Sequence, residues 1–309
     1  MATRFTLRQL EYFIAAGECG SIASASERLN VSSPSISASI SQLEAEFGLS
    51  LFVRKRAHGL ALTPAGVKLL EQSRNVISAT TDLTSLAGAI SGNIQGPLKL
   101  GCLVTFAQII VPKLRREFEG CNPEVYIRQY EMNQSEIFSA LRRAEIDLAL
   151  TYDLDIPTDL DYVSLLELPP FALVSPEHEL ADRTELSIGD LVDYPMILLD
   201  LPFSGEYFLS FFSAIDVKPK IAERTKDMAV MRSLVANGYG YSFANVRPLN
   251  DQSPDGQKLV FIPLVGDVRP MNMGLLMARG ATSSITIRTF IEHCQSMITG
   301  RLLPSLQTS

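Results

Sequence analysis

Three short helical segments separated by glycine or asparagine breaks fill the first 48 residues and most restrict how this chain folds. In the third segment Ser32 is a good N-cap, Pro34 suits a first helical turn, and Gly48 suits a helix end. Apolar residues recur there every three or four positions, as one buried helix face requires: Ile36, Ile40, Leu43 and Phe47. The opposite face is therefore free, and it carries only small side chains.

The two preceding segments predict helices that pack on the third. Thr6 is expected to cap the first, which ends near Glu18, and Ser21 the second, where small alanines permit close helix crossing. Two helices at a steep angle, the second with an exposed face, are typical of a helix-turn-helix, whose second helix enters the major groove of DNA. The free face consists of Ser33, Pro34, Ser37, Ala38 and Ser41, with Ser32 at its start.

A basic turn between two short apolar runs follows, at 51–53 and 60–62. The runs predict a β-hairpin wing, and its cations suit phosphates at the edge of a groove. The turn residues concerned are Arg54, Lys55, Arg56 and His58. Taken alone, the basic turn is explained equally well as a run of solvated charges, and the serine-rich face as a solvated helix face. Their combination with helix-turn-helix spacing favours a DNA-contacting surface.

One continuous helix is predicted from Pro64 to residue 92, roughly 43 Å long at about 1.5 Å per residue. Its apolar residues at seven-residue spacing are Leu69, Val76, Leu83 and Ile90, and Leu86 falls at a matching heptad position. Such a stripe favours a partner helix and hence a homodimer. Packing of the same stripe on the chain's own body is the alternative.

Turn-forming residues at 91–97 mark the main boundary of the chain. Beyond it, β-type and α-type segments alternate, and the order strand, helix, strand, helix, strand over 98–150 predicts a parallel sheet. The expected fold is α/β, with an all-α winged helix-turn-helix at 1–63, a linker helix at 64–92 and a two-lobed body at 93–309. Lobe I comprises about 97–168 and 268–300, and lobe II about 169–267.

Two α/β lobes joined by two crossings enclose a cleft, and ligands bind beyond the carboxyl ends of the strands. Free N–H groups at helix starts would suit a carboxylate, and Phe106 and Phe203 would flank an aromatic body. Thr105 and Ser204 have helix capping as a competing role. The candidate ligand-binding residues are Thr105, Phe106, Asn133, Gln134, Phe203, Ser204, Thr225 and Asn245.

Charge and hydropathy exclude several classes of protein. The chain carries a net charge of −7, yet residues 1–90 hold eight Lys and Arg against seven Asp and Glu. An acidic body with a near-neutral first module fits a local basic contact surface, not a generally basic DNA-coating protein. No apolar run long enough for a membrane span and no secretory signal are recognised, so a cytoplasmic location is expected.

The sequence also lacks the motifs of common catalytic and metal sites. The segment with Gly238 and Gly240 follows a predicted helix, not a strand, and it lacks the third glycine of a dinucleotide-binding fingerprint. No phosphate-binding loop, nucleophile elbow or paired histidines are found, and the four cysteines form no CxxC pair. We therefore expect no enzyme, no cofactor and no metal.

The first module resembles the winged helix-turn-helix of LysR-type transcriptional regulators. The resemblance lies in the segments 7–13, 20–37, 40–48, 51–54 and 62–66, which include Val31-Ser32-Ser33-Pro34-Ser35-Ile36-Ser37 and Leu62-Thr63-Pro64-Ala65-Gly66. It implies base contacts from Ser33, Pro34, Ser37 and Ala38, and wing contacts from Arg54 and Arg56. The element order beyond residue 97 resembles the effector domain of the same family, which is like periplasmic solute-binding proteins. This implies effector contacts at Thr105 and around Ser204, and favours a homotetramer.

Two positions depart from the family pattern. The family usually has Gln at the position of Ser33 and often Arg at that of Ala38. Gln and Arg make bidentate, base-selective contacts, whereas a serine hydroxyl donates to or accepts from several bases. Direct readout by this helix should therefore be weak, and specificity should depend on the wing, on groove shape and on half-site spacing.

The expected function is a ligand-responsive transcriptional regulator that binds a palindromic promoter site as a homo-oligomer. Its expected partners are double-stranded DNA, a small carboxylate or aromatic effector and a second copy of itself, with RNA polymerase a further candidate. A solute-binding protein, for transport or in the cytoplasm, and a redox-sensing regulator are the alternatives. The first leaves residues 1–63 without a role, and the second needs two cysteines that approach each other.

Overall fold

The computed structural model describes residues 4–55, 59–90 and 94–298. Their contacts group the residues up to 96, with 140–146, into a first unit and the remainder into a second. None of the helices in these ranges has the length and apolar character needed to cross a bilayer.

The first unit opens with three capped helices: α1 (Leu7–Cys19), α2 (Ile22–Leu29) and α3 (Ser33–Phe47). The hydroxyl oxygens of Thr6, Ser21 and Ser32 each accept from a backbone N–H in the first turn of the helix they precede. The helices end at Gly20, Asn30 and Gly48, all in the left-handed region with φ of 60°, 53° and 65°. These boundaries agree with the predicted ones to within one residue.

The core of the first unit lies between α1 and α3. Phe13, Ile36 and Leu43 are completely buried, and Ala16 and Ala25 fill the crossing of α1 with α2. Alanine at both contact points lets the helix backbones approach closely. The buried side of α3 is thereby committed to the core, and its other side faces solvent.

The wing and the linker helix follow: β1 (Phe52–Lys55), β2 (Gly59–Leu62) and α4 (Pro64–Ile90). β1 and β2 pair antiparallel, with Phe52 opposite Leu62. Thr63 joins wing and linker, because its hydroxyl donates to Ser50 O at 2.7 Å and accepts from Gly66 N at 2.9 Å. The start of α4 is therefore tied to the end of the helical module.

We predict that Gly66→Ala destabilises the chain by about 2 kcal/mol, because overpacking at a rigid contact forces backbone shifts. A Cβ at Gly66 would lie 2.2 Å from Leu51 O. Gly120→Ala is the matched control: Gly120 is exposed, lies in a helix and has nothing within 4 Å of its Cβ position. It should gain about 0.5–1 kcal/mol. Calorimetric unfolding of both variants tests this, and equal effects would contradict it.

The second unit contains ten strands and seven helices among the residues that the structure describes. Its strands are β3 (Gly96–Leu103), β4 (Val125–Met132), β5 (Leu148–Tyr152), β6 (Leu160–Leu168), β7 (Phe171–Val174), β8 (Pro195–Leu199), β9 (Lys220–Thr225), β10 (Ser242–Ala244), β11 (Val260–Pro263) and β12 (Met271–Ala278). Its helices are α5 (Val104–Ala107), α6 (Val111–Cys121), α7 (Gln134–Arg142), α8 (Ile188–Leu191), α9 (Ser204–Ser213), α10 (Met228–Ala236) and α11 (Ile285–Met297).

Lobe I is built on a five-stranded sheet of order β4-β3-β5-β12-β6. β3 runs parallel to β5, as predicted. The sheet as a whole is mixed, however, because β12 pairs antiparallel with both β5 and β6. The prediction of parallel pairing covered only the strands within 98–150, and the antiparallel pairs arise from strands outside that range. β6, which was not predicted from the sequence, is one of the two strands with which β12 pairs.

One predicted helix is divided in two. A single helix was expected from Phe106 to Glu119, but α5 ends at Ala107 and α6 begins at Val111. Pro112 lies in the first turn of α6, where its missing N–H is tolerated, whereas in the middle of a longer helix it would remove a hydrogen bond. The break places α5 as a single turn directly after β3.

Lobe II combines the antiparallel sheet β10-β7-β11 with the parallel pair β8-β9. Its core packs α10 against the strands through Met231, Val235 and Ile197, all buried. β8 and the segment leading into β10 run parallel, with a bridge between Met196 and Tyr241, so the loops that follow Leu199 and Ala244 lie on one side of the lobe.

Candidate functional site

The free face of α3 is the first candidate site. Pro34, Ala38 and Ser41 are exposed, and Ser33 and Ser37 are half-buried. Ser32 is also exposed, and its hydroxyl lies 2.7 Å from that of Ser35. With no side chain larger than proline along this face, the helix backbone can approach a surface closely. The hydroxyls can then donate to or accept from groups on that surface.

The wing lies beside this helix module and is fixed to it. Leu60 N donates to Gly20 O at 2.8 Å, and a Cβ at Gly59 would lie 2.6 Å from the same oxygen. Arg54 and Lys55 belong to β1, at the end of the strand nearest the turn. Arg56 and His58 lie outside the described residues, as do the side chains of Arg54 and Lys55.

The linker helix presents two apolar side chains of the predicted stripe to solvent. Val76 is 42% exposed and Leu83 is 67% exposed, and the two lie seven residues apart on the same stripe of the helix. Leu69 instead packs against the core of the first unit, beside Leu70. The side chains of Leu86 and Ile90 are outside the described residues.

A buried ion pair ties the linker helix to α1. Arg74, 9% exposed, donates to Glu18 Oε1 at 2.8 Å, and Arg28 donates to the other oxygen at 2.6 Å. Burial opposes ionisation of Glu18, but hydrogen bonds and charges from the two arginines outweigh it and hold the Glu18 pKa below its usual value. The direction of α4 relative to α1 is thereby set.

The second candidate site is a pocket in the second unit with a cavity volume of ≈ 30 Å³. Three predicted ligand-binding residues lie on its wall: Thr105 after β3, Ser204 at the start of α9 and Asn245 after β10. The remaining wall residues are Tyr152, Leu199, Leu201, Phe208, Met228, Met231, Phe243, Ala244, Val246 and Met271. The wall is therefore mainly apolar, with a few polar groups that converge on it, as in small-molecule sites.

Asn245 is the most constrained polar residue of the wall. Its Nδ2 donates to Leu168 O at 2.9 Å and to the Tyr207 hydroxyl at 3.1 Å. The Tyr207 hydroxyl in turn donates to Arg269 O. Asn245 is 3% exposed, and its Oδ1 has no hydrogen-bond partner.

Five of the eight predicted ligand-binding residues do not line the pocket: Phe203, and four others with structural contacts. Phe106 is completely buried against Tyr152, with ring centroids 4.6 Å apart. Asn133 caps α7 by accepting from Glu136 N, and Gln134 is buried and donates to Tyr152 O and Leu154 O. Thr225 accepts from Asp227 N just before α10. The three polar residues satisfy backbone groups near the ends of elements, the competing role that sequence patterns cannot exclude, and Phe106 is part of the core.

Phe203 precedes the pocket residue Ser204 and has a strained backbone. Its φ of 66° and ψ of −42° are unusual for a bulky residue. Its ring lies 5.6 Å from that of Phe138 on α7, so α7 of lobe I touches the start of α9 in lobe II. This contact lies next to the pocket wall.

Sequence reasoning missed most of the apolar wall. Met228 and Met231 lie three apart on α10, and Leu199 and Leu201 flank the end of β8. Apolar residues of this kind usually belong to the hydrophobic core. Only their proximity in sequence to loop residues such as Ser204 could have indicated that they line a pocket.

Metal and thiol chemistry have little support in the described ranges. No group of three or more His, Cys, Asp or Glu side chains there is placed to hold a metal ion. Cys102 and Cys294 are buried and Cys121 is exposed. Burial raises the pKa of the Cys102 thiol to about 12, and it also raises that of Cys294. Neither buried thiol is thus a reactive thiolate near neutral pH.

Two family models match the chain. "Bacterial regulatory helix-turn-helix protein, lysR family" matches residues 7–67, and "LysR substrate binding domain" matches residues 91–298. The transcriptional activator protein LysR of Escherichia coli is 27% identical over 304 residues, which cover 98% of this chain and 95% of that protein. The transcriptional regulator CysB of Haemophilus influenzae is 28% identical over 243 residues, 76% of this chain and 73% of that protein.

A solved structure gives the same result. HinK of Pseudomonas aeruginosa, described as a LysR family transcriptional regulator, is 31% identical, covers 95% of this chain and 99% of its own, and superposes with a TM-score of 0.64. The helix-turn-helix family model covers the capped helices and the wing, and the substrate-binding family model covers both lobes and the pocket. The chain therefore belongs to the LysR family of ligand-responsive, DNA-binding transcriptional regulators.

Proposed function

We propose that α3 enters the major groove of a palindromic promoter site and that the wing contacts the flanking phosphates. The observation that carries this assignment is the solvent-facing side of α3, where the exposed residues between positions 33 and 41 are all small and lie opposite the buried Ile36 and Ile40. Ser33, Pro34, Ser37 and Ala38 would then lie nearest the bases, with Ser32 and Ser41 at the ends. Arg54, Lys55, Arg56 and His58 would contact phosphates.

Gel-shift titration of the full chain on promoter DNA at several salt concentrations tests this assignment. Each phosphate contact steepens the fall of affinity with salt. A salt-independent affinity, or none, would contradict the proposal.

The proposed domains are the winged helix-turn-helix at 1–63, the linker helix at 64–92 and the effector domain at 93–309. Two copies would pair through the exposed stripe of α4, and two such dimers would form a tetramer in the cytoplasm, where the DNA lies. Paired modules present two recognition helices to one palindrome. The absence of catalytic motifs supports a regulator with no enzymatic activity.

The pocket of the second unit is the proposed effector site, with Thr105, Ser204 and Asn245 as its polar contacts. An effector would change DNA binding by favouring one arrangement of the two lobes. It can do so only by its difference in affinity for the two arrangements. Solute transport, the second candidate, shares the pocket but leaves α1 to α3 unexplained.

Ser33→Ala is expected to lower DNA affinity by less than about 5-fold, and evenly across base-substituted sites. A serine hydroxyl contributes about one neutral hydrogen bond and does not choose strongly between bases. Gel-shift titration against a set of single-base variants of the site provides the measurement. A large loss confined to one base pair would show that Ser33 reads that base directly.

A further inference from the structure

The amide of Asn245 can present only its oxygen to the pocket. A flipped amide would place Oδ1 against the carbonyl oxygen of Leu168, and two acceptors cannot share a hydrogen bond. The Tyr207 hydroxyl accepts a hydrogen bond from the second N–H of the amide and donates its own hydrogen to Arg269 O. The orientation is thus fixed by contacts outside the pocket. A ligand that meets Oδ1 must bring an N–H or O–H donor.

The wall offers a carboxylate no positive charge. None of the thirteen pocket-lining residues is Lys, Arg or His. Tyr152 is buried, and burial raises its pKa, so its hydroxyl stays neutral. A carboxylate would therefore face an unpartnered acceptor in an apolar pocket without a counter-charge, which is costly.

The starts of α9 and α10, two of the helices that contribute to the wall, are also occupied. At α9, Ser204 N and Gly205 N donate to the carbonyls of Pro202 and Leu201. At α10, Asp227 Oδ1 accepts from the N–H groups of Ala229 and Val230. Neither helix start therefore presents the set of free donors that binds an anion. Of the two effector classes that the sequence left open, the carboxylate is disfavoured.

The apolar part of the wall suits a flat apolar body. Phe208 and Phe243 supply aromatic rings, and Met228 and Met231 supply flexible thioether chains that adapt to a ring. A volume of ≈ 30 Å³ is room for about one water molecule, so the ligand-bound form must be wider than this one. The strained Phe203 and its contact with Phe138 lie directly before the wall residue Ser204.

We propose that the effector is an uncharged, largely aromatic molecule with at least one N–H or O–H group, which donates to Asn245 Oδ1. This inference rests on the proposed function of the pocket as the effector site. Phenols and indoles have the required chemistry, whereas benzoate-like acids do not.

Ligand-observed NMR that measures the binding of matched probes to the full chain tests the proposal. Phenol and indole are the donors, fluorobenzene resembles phenol without the donor, and benzoate is the anion. We expect phenol to bind at least about 10-fold more tightly than either fluorobenzene or benzoate. Preferential binding of benzoate, or equal binding of phenol and fluorobenzene, would overturn it. No binding of any probe at about 5 mM would also overturn it.

Two variants connect the preference to the pocket. Asn245→Ala should abolish the preference for phenol over fluorobenzene. Met228→Lys places a cation on the wall without touching the Asn245 network and should raise benzoate affinity at least about 10-fold. Val230→Lys, on the exposed face of the same helix, is the matched control and should not. Unchanged preferences in both Asn245→Ala and Met228→Lys would contradict the assignment.

The ligand class and the DNA-binding function fail separately. A chain that binds promoter DNA but prefers benzoate refutes the ligand class and leaves the regulator intact. A chain that prefers phenol but binds no DNA refutes the regulator.

Discussion

Ala38→Glu is expected to lower affinity for specific DNA by at least about 100-fold, because a carboxylate among phosphates and base-edge acceptors costs several kcal/mol. Ala38 is exposed in the middle of α3, and glutamate is a good helix former, so the fold should be unaffected. Fluorescence anisotropy with a labelled promoter duplex measures the loss. Thermal unfolding of the same sample verifies that the domain is intact.

The matched control for Ala38→Glu is Ala214→Glu. Ala214 is exposed at the end of α9 in the second unit, and the substitution changes the net charge by the same amount. It should alter DNA affinity by less than about 3-fold, as expected for one distant charge at physiological salt. Comparable losses in the two variants would mean that overall charge, and not the face of α3, controls binding.

Leu83→Glu is expected to weaken self-association at least about 100-fold and, through it, the binding of palindromic DNA. A heptad side chain that is 67% exposed in one copy becomes a buried contact when two α4 helices pair, and a pair of glutamates there would repel each other. Sedimentation velocity over a range of concentrations measures the change. Binding to an isolated half-site should be largely retained, which separates lost pairing from a damaged recognition helix.

Asn75→Glu on the same helix is the control for Leu83→Glu. Asn75 is exposed but lies off the heptad stripe, beside Val76. Its substitution should leave the association state unchanged. If Leu83→Glu stays as fully associated as Asn75→Glu, the α4 stripe does not hold the oligomer together.

The helical module could be predicted closely because its determinants are local. A serine or threonine cap, a three-or-four spacing and a glycine end specify each helix within a few residues of sequence. The structure places all three helices within one residue of those boundaries. The free face of α3 could then be predicted as well, because it lies on the side of the helix opposite Ile36, Ile40 and Leu43.

The mixed sheet and the pocket wall could not be predicted in the same way. β12 pairs with β6 across more than a hundred residues, and neither strand carries information about its direction. Asn245 was selected from its place after a strand, but the role of its oxygen depends on Leu168, Tyr207 and Arg269, three distant residues. Asn133, Gln134 and Thr225 had the same kind of position and serve the backbone instead. Only the folded contacts separate these two outcomes.

Selection of DNA by the full chain from a pool of random-sequence duplexes tests the central assignment most directly. We predict enrichment of a single inverted repeat, with weak preference at each base and strong preference for the half-site spacing. Ala38→Glu should enrich nothing from the same pool. A wild-type chain that enriches no sequence, or only an unpaired half-site, would contradict a paired helix-turn-helix regulator.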